Sequence, residues 1–281
     1  MLLRLLKRRP WTLAEIPAPD DPRIRAAAER SPLVGGPEYS EQADRQELVF
    51  WEEVEDFGDG LASAYGFFRQ KRVLDFLDNA LRRCRITPHG TVVEFGAGSC
   101  WASAAFACFP DVERVVAVEF SRRRLTEIAP ASMAILSAPA EKIERRLADF
   151  YAHGLPDSSA DLIVMDAAFH HAADPAGIAK VMFDLAKPGG LVMLMREPTL
   201  NFLKHSRDHG ITDDYGSFER EYYRGEYLGF LREAGFDART VGVRWFHSTR
   251  WRRAIYHPPI TYLSGVLRGH WIYLGRKPPA A

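Results

Sequence analysis

Cysteine is scarce in this chain: Cys84, Cys100 and Cys108 are the only three in 281 residues. Three thiols at those spacings build neither a disulfide framework nor a four-ligand zinc site, so they read as reduced thiols in a reducing compartment. Long apolar runs are missing too. No stretch approaches the ~20 residues of a membrane span. MLLRLLKRRP at the start is too short for a signal-peptide core, and no small-residue cleavage site follows it. A cytoplasmic location follows by default. Charge of one sign is also absent: 37 Lys and Arg balance 37 Asp and Glu, which leaves no chain-wide field for nucleic acid. What is present is material for a core, with 47% hydrophobic residues against 26% charged.

Residues 1–45 are punctuated by Pro10, Pro17, Pro19, Pro22, Pro32 and Pro37, and read as irregular around one short helix near Arg23–Arg30. Leu48, Phe50, Trp51 and Val54 predict a helix. Phe67, Phe68, Val73, Leu74, Phe76, Leu77 and Leu81 predict a second, amphipathic one. Beyond Pro88-His89-Gly90 short apolar runs alternate with helical patterns. TVVEF (91–95), VVAVEF (115–120), AIL (134–136), DLIVMD (161–166) and LVMLMRE (191–197) predict five buried strands. Apolar strands separated by helices imply a parallel sheet covered on both faces. ARTVGVRWF (238–246) and HWIYLGRKP (270–278) predict two more strands.

The first strand runs through Glu94 into Gly96-Ala97-Gly98-Ser99-Cys100-Trp101. Gly96 permits a tight turn, and Gly98 is expected to let a ligand approach bare backbone. A dinucleotide site would need a third glycine where Trp101 stands, and Glu94 would oppose a pyrophosphate. The same carboxylate suits an ammonium group, directly or through water. The loop therefore favours S-adenosylmethionine. Glu119 ends the second strand about twenty residues further on, where an acidic side chain accepts ribose hydroxyls.

EFGAGSCWAS, AVEFS, ADLIVMDAAFHHAADP and AKPGGLVMLMREP, in that order over residues 75–200, resemble four motifs of the class I S-adenosylmethionine-dependent methyltransferases. The resemblance implies a Rossmann-like, doubly wound α/β sheet of seven strands, order 3-2-1-4-5-7-6 with strand 7 antiparallel. A helical N-terminal extension and lid (1–74) would precede a methyltransferase domain (75–281) interrupted near 247–269. It also implies cofactor contacts from Glu94, Gly96, Ala97, Gly98, Ser99, Glu119, Phe120, Asp166 and Ala167. Many relatives place an acid after the third strand to bond the adenine amino group. Here Ser137-Ala138-Pro139-Ala140-Glu141 carries proline at that point, so adenine is expected on main chain near Ala140, with Glu141 as a partner.

The acceptor side is read from the strand ends. His170 and His171 follow the fourth strand, and a histidine there could serve as general base, His170 foremost; a metal site has no third ligand in reach. Tyr65, Phe67 and Phe68 read as lid residues or as core. The stretch bearing His205, His209, Asp213, Asp214 and Tyr215 reads as an acceptor cover or a solvated loop. The cluster Trp245, His247, Arg250, Trp251, Arg252, Arg253 and Tyr256 reads as a ligand surface or an oligomer contact. The expected activity is methylation of a small molecule, at an oxygen of a sugar or glycan precursor or of a secondary metabolite. Carbon or nitrogen acceptors, an RNA or protein substrate, and a cofactor-binding scaffold without turnover are the alternatives. The expected partner is a small-molecule acceptor, with no nucleic acid, no integral membrane association, and a homodimer allowed.

Overall fold

The computed structural model describes residues 10–11, 17–18, 20–35, 64, 68, 73–200, 220–243 and 271–280. In chain order it contains α1 (Pro22–Arg30), β1 (Leu33–Gly35), α2 (Val73–Cys84), β2 (Gly90–Phe95), α3 (Trp101–Ala107) and β3 (Val112–Glu119). A π-helical turn (Arg124–Ile128) leads into α4 (Ala129–Leu136), and a 3-10 turn (Ala140–Lys142) into β4 (Ile143–Leu147). Then follow β5 (Ala160–Asp166), a 3-10 turn (Phe169–His171), α5 (Pro175–Leu185), β6 (Ala186–Met195) and β7 (Thr199–Leu200). The chain closes with β8 (Tyr222–Tyr223), α6 (Arg224–Glu233), β9 (Asp237–Gly242) and β10 (Trp271–Arg276).

Eight strands form one sheet in the order β1-β4-β3-β2-β5-β6-β10-β9. From β4 onward this is the expected order 3-2-1-4-5-7-6, and β10 runs antiparallel to both β6 and β9. Strand interiors alternate between two cores. Val92, Leu162, Val164 and Met193 point to the side holding α2, α3 and α4. Val93, Ile163, Met165 and Leu194 point to the side holding α5 and α6. Both faces are thus dry, which is why these strands lack a polar face in sequence.

Local signals account for the helices that flank the site. In α2, Val73, Leu77, Ala80, Leu81 and Cys84 are buried at helical spacing, and the helix ends at Arg85, whose φ of 59° is left-handed. Asp174 caps α5 by accepting from the Gly177 N–H at 2.9 Å, with Pro175 in the first turn.

One predicted strand is absent. Residues 134–136 lie inside α4, all eight residues of which are buried, and the third strand of the expected order is Ile143–Leu147. A short apolar run in a fully buried helix has no polar face to betray its period. The true strand, IERRL, hides behind its charges. Glu144 pairs with Arg114 and Arg146, and Arg145 is nearly fully buried.

The sheet also carries β1, beyond the seven expected strands, paired in parallel with β4. Arg145 holds this edge in place. Its guanidinium donates to the carbonyls of Leu125 (2.8 Å), Ala28 (2.7 Å) and Ser31 (2.6 Å), and Ser31 Oγ donates to the Ile143 carbonyl at 2.6 Å. The predicted helix over 46–54, Tyr65, Phe67, the stretch 201–219 and the cluster 245–256 lie outside the described residues. Phe68 is in the core. Among the described residues no helix is long and apolar enough to cross a membrane.

Candidate active site

In an open parallel sheet the ligand crevice lies at the carboxyl ends of the strands. Here those ends present Gly96–Ser99 after β2, Glu119–Ser121 after β3, Ala148–Tyr151 after β4, Asp166–His170 after β5 and Arg196–Glu197 after β6.

The glycine turn is left-handed at Gly96 (φ 65°) and Gly98 (φ 53°), and again at Cys100 (φ 54°), where α3 begins. A Cβ on Gly96 would stand 2.7 Å from the Ala168 Cβ, so this glycine lets the loops after β2 and β5 touch. A Cβ on Gly98 would stand 3.1 Å from Arg124 Nη1. The bare face of Gly98 therefore looks at the end of the Arg124 side chain. Ala97 is buried and donates its N–H to the Val118 carbonyl, while Ser99 is half-buried.

Glu119 meets this turn directly. Its Oε2 accepts the Gly98 N–H at 2.7 Å and its Oε1 the Ser121 N–H at 2.9 Å. The carboxylate is 2% exposed, and no Lys or Arg forms a salt bridge with it among the described residues. A carboxylate oxygen has two acceptor sites, so each can still take one hydroxyl hydrogen. The half-buried Phe120 adjoins it.

Glu94, expected at the cofactor's ammonium, is 1% exposed; its Oε2 accepts both the N–H (2.7 Å) and the Oγ–H of Ser103 in the first turn of α3. It pins the helix start to the strand. Burial pushes its carboxyl up to about 8, against the opposing bonds from Ser103. The folded chain thus retains a proton that the unfolded chain releases above the ordinary value of 4.5. The stabilisation belonging to that proton is complete below 4.5 and declines as pH rises toward 8. Glu94→Gln is expected to remove this decline. Its melting temperature relative to wild type should climb from pH 5 to pH 8 and level off beyond; a pH-independent difference would contradict the burial argument.

Asp166 closes the wall between β5 and β6. It accepts the Trp101 indole N–H at 2.7 Å, and the Arg196 guanidinium grips both its oxygens, Nε to Oδ1 at 2.6 Å. The guanidinium also lies over the Trp101 ring, 5.7 Å from the centroid. Trp101, where a dinucleotide site would need glycine, is thus a wall residue. Ala167 (φ 50°) and Arg196 (φ 57°) are both left-handed, a conformation costing roughly 1–2 kcal/mol in a non-glycine residue. Such outliers concentrate at functional sites.

Glu197 closes the run 191–197 that the sequence predicts as a strand. Its side chain is fully buried. Oε1 accepts the N–H groups of Ala168 and Phe169 at 3.1 Å each; Oε2 accepts the His170 N–H at 3.2 Å and lies 2.7 Å from His170 Nδ1. The His170 and His171 rings lie 4.1 Å apart at their centroids, His170 buried and His171 half-buried.

Ala140 and Glu141 are not brought to the crevice. They precede β4, at the opposite end of that strand; Ala140 is buried, and Glu141 is exposed with Arg30 3.8 Å away. Their expected place depends on a third strand at 134–136, and that segment is helical. The loop at the crevice is Ala148-Asp149-Phe150-Tyr151. Asp149 is 5% exposed, and its Oδ1 accepts the N–H groups of Tyr151 (2.7 Å) and Ala152 (2.6 Å). Phe150 packs beside Gly96 and edge-on to Phe95. An acid just past a strand was the signal available; misplacing the strand hid it.

Residues 93–194 match the family model of the methyltransferase domain. No curated protein matches the chain by sequence. Among solved structures, the chain resembles the protein bound to the Haloferax volcanii Trm112 methyltransferase activator, with TM-score 0.59, 18% identity, and 76% of this chain and 93% of that one covered. An S-adenosylmethionine-dependent methyltransferase from Thermotoga maritima aligns with TM-score 0.53 and 18% identity over 83% and 99% of the two chains. A Haemonchus contortus phosphoethanolamine N-methyltransferase, solved with phosphomonomethylethanolamine and S-adenosylhomocysteine, aligns with TM-score 0.57 and 12% identity over 85% of this chain and 61% of its own length.

Residues 93–194 thus carry a methyltransferase domain, and the strand order and the glycine turn met by Glu119 give the chain the fold of the class I S-adenosylmethionine-dependent methyltransferases. It is a methyltransferase whose cofactor is S-adenosylmethionine.

Proposed function

We propose that this methyltransferase acts on a small molecule, transferring its methyl group to an oxygen of a sugar or glycan-linked precursor or of a secondary metabolite, in the cytoplasm. The observation that carries the cofactor side is Glu119, a buried carboxylate without a salt-bridge partner among the described residues, joined to the Gly98 N–H at 2.7 Å with acceptor sites to spare. It fits a ribose diol. S-adenosylmethionine supplies an activated methyl group. The chain's residues have to orient the two reactants and keep water out.

In this reading Gly96, Ala97, Gly98, Ser99 and Phe120 form the cradle, and Glu94 acts by fixing the start of α3. Asp166 and Ala167 form the wall, with the Asp166 carboxylate committed to Arg196 and Trp101. Adenine belongs at the loop after β4. Asp149 follows the third strand there, as the adenine-bonding acid does in many relatives, and it replaces Ala140 and Glu141 in that role.

The acceptor side rests on His170. An alcohol must lose its proton as the new bond to carbon forms, and a neutral imidazole at a strand end can take it. His171, tilted against it at 38°, supports the ring. A carbon or nitrogen acceptor, a macromolecular substrate or a non-catalytic scaffold has no specific observation in its favour.

The test begins with calorimetric titration of S-adenosylmethionine, followed by transfer of labelled methyl to cell-extract fractions. Recovery of a labelled, small, alkali-stable ether is expected. Binding without transfer to any fraction would support the scaffold instead. With the labelled fraction in hand, His170→Ala should slow transfer by about 10²-fold or more while cofactor affinity stays within about twofold. A wild-type rate would remove His170 as the base.

A further inference from the structure

We infer that Glu197 is the positioning residue of His170: it holds the imidazole as the Nδ1–H tautomer and leaves Nε2 as the proton-accepting nitrogen. This inference rests on the reading of His170 as the base, and it deepens that reading.

The geometry begins two residues past β6. After Met195 the chain turns through Arg196, whose left-handed backbone and grip on Asp166 tie the end of β6 to the end of β5. The next residue, Glu197, crosses the same gap. Its carboxylate meets four nitrogens of the β5 loop: the main-chain N–H groups of Ala168, Phe169 and His170, and the ring Nδ1 of His170. Three of these can only donate, so both oxygens act as acceptors. The fourth, at 2.7 Å, is the shortest, and the imidazole completes the set as an N–H donor. A neutral imidazole that donates through Nδ1 carries its lone pair on Nε2. Among the described residues nothing hydrogen-bonds that second nitrogen.

The charge balance points the same way. Glu197 is fully buried, and among the described residues its one salt-bridge contact is His170. A buried carboxylate is tolerable when surrounding dipoles neutralise it, as these converging N–H groups do. An imidazole that gained a proton at Nε2 during turnover would become a cation 2.7 Å from this carboxylate, which is where the positive charge is best compensated. A merely structural glutamate would need only the main-chain bonds. The ring contact is what a positioning role adds.

Glu197→Gln separates the two roles. Its amide keeps one oxygen for the Ala168 and Phe169 N–H groups but turns an NH2 toward His170, where it can only donate. The ring must then accept through Nδ1, and its proton moves to Nε2. The readout is the tautomer itself, by nitrogen-15 correlation spectroscopy of histidine-labelled full-length protein at pH 9, above the ordinary histidine range. His170→Ala assigns the signal, and no acceptor is required.

The expected result is an Nδ1–H tautomer in the wild type and an Nε2–H or mixed population in Glu197→Gln. Methyl transfer to the labelled fraction should fall at least tenfold in kcat, with KM for S-adenosylmethionine within twofold. An Nε2–H ring in the wild type overturns the inference, even if the variant does not fold. An unchanged tautomer in a folded Glu197→Gln overturns it as well. If the tautomer switches while His170→Ala retains full activity, the positioning stands and the reading of His170 as the base fails.

Discussion

Replacing Arg196 with Met is expected to lower the melting temperature by roughly 10 °C, the largest stability loss of any single change in the site. The pair it breaks is buried, with side-chain exposures of 7% for Arg196 and 3% for Asp166. Removing one partner strands a carboxylate in a place water cannot reach, and such losses run to about 3–5 kcal/mol. The Trp101 indole N–H, at 2.7 Å, would remain its hydrogen-bond donor from the present pair. Adding Asp166→Asn to the same chain should restore most of the lost stability, because the amide keeps an acceptor for Trp101 and no longer needs a cation. Thermal unfolding of the two variants decides it. A double variant no more stable than Arg196→Met alone would mean the wall depends on the Arg196 stem and not on its charge.

Glu119→Ala is expected to weaken S-adenosylhomocysteine binding at least tenfold, a loss of about 1.4 kcal/mol. Two effects combine. The ribose acceptor disappears, and the Gly98 N–H that Glu119 holds at 2.7 Å loses its anchor, so the turn after β2 is less ordered before binding. Glu119→Gln separates these effects: one amide oxygen can still hold a main-chain N–H, but the second acceptor is gone. Its affinity should fall between wild type and Glu119→Ala. Calorimetry on the three chains is sufficient, and an unchanged dissociation constant in Glu119→Ala would move the ribose elsewhere.

The parts of this chain legible in sequence are those whose signal is local. The strands at 91–95 and 161–166 are apolar on both faces because helices cover both faces, and that pattern needs no partner to be seen. Gly96 and Gly98 stand where the backbone turns left-handed. Glu119 was placed by its distance along the chain from that turn, and the 2.7 Å bond to Gly98 is what such a βαβ unit produces. The third strand is hidden in the sequence for an equally local reason. Ala134-Ile135-Leu136 is apolar because α4 is buried all round, whereas Ile143–Leu147 carries charges that neighbouring strands and the N-terminal segment satisfy. That one shift sent the adenine expectation to Ala140 and Glu141 and away from Asp149.

The sequence by itself indicated the class: a glycine turn at the end of a buried strand, an acid at the end of the next, and four ordered motifs resemble the class I methyltransferases. Only the tertiary structure decided what the charged residues at the strand ends do. Glu94 could face an ammonium group or Ser103, Asp166 a ligand or Arg196, and Glu197 solvent or His170; nothing in the order of residues distinguishes these. A charged side chain is governed by whatever donors and acceptors surround it after burial, and here those come from residues 9, 30 and 27 positions away along the chain.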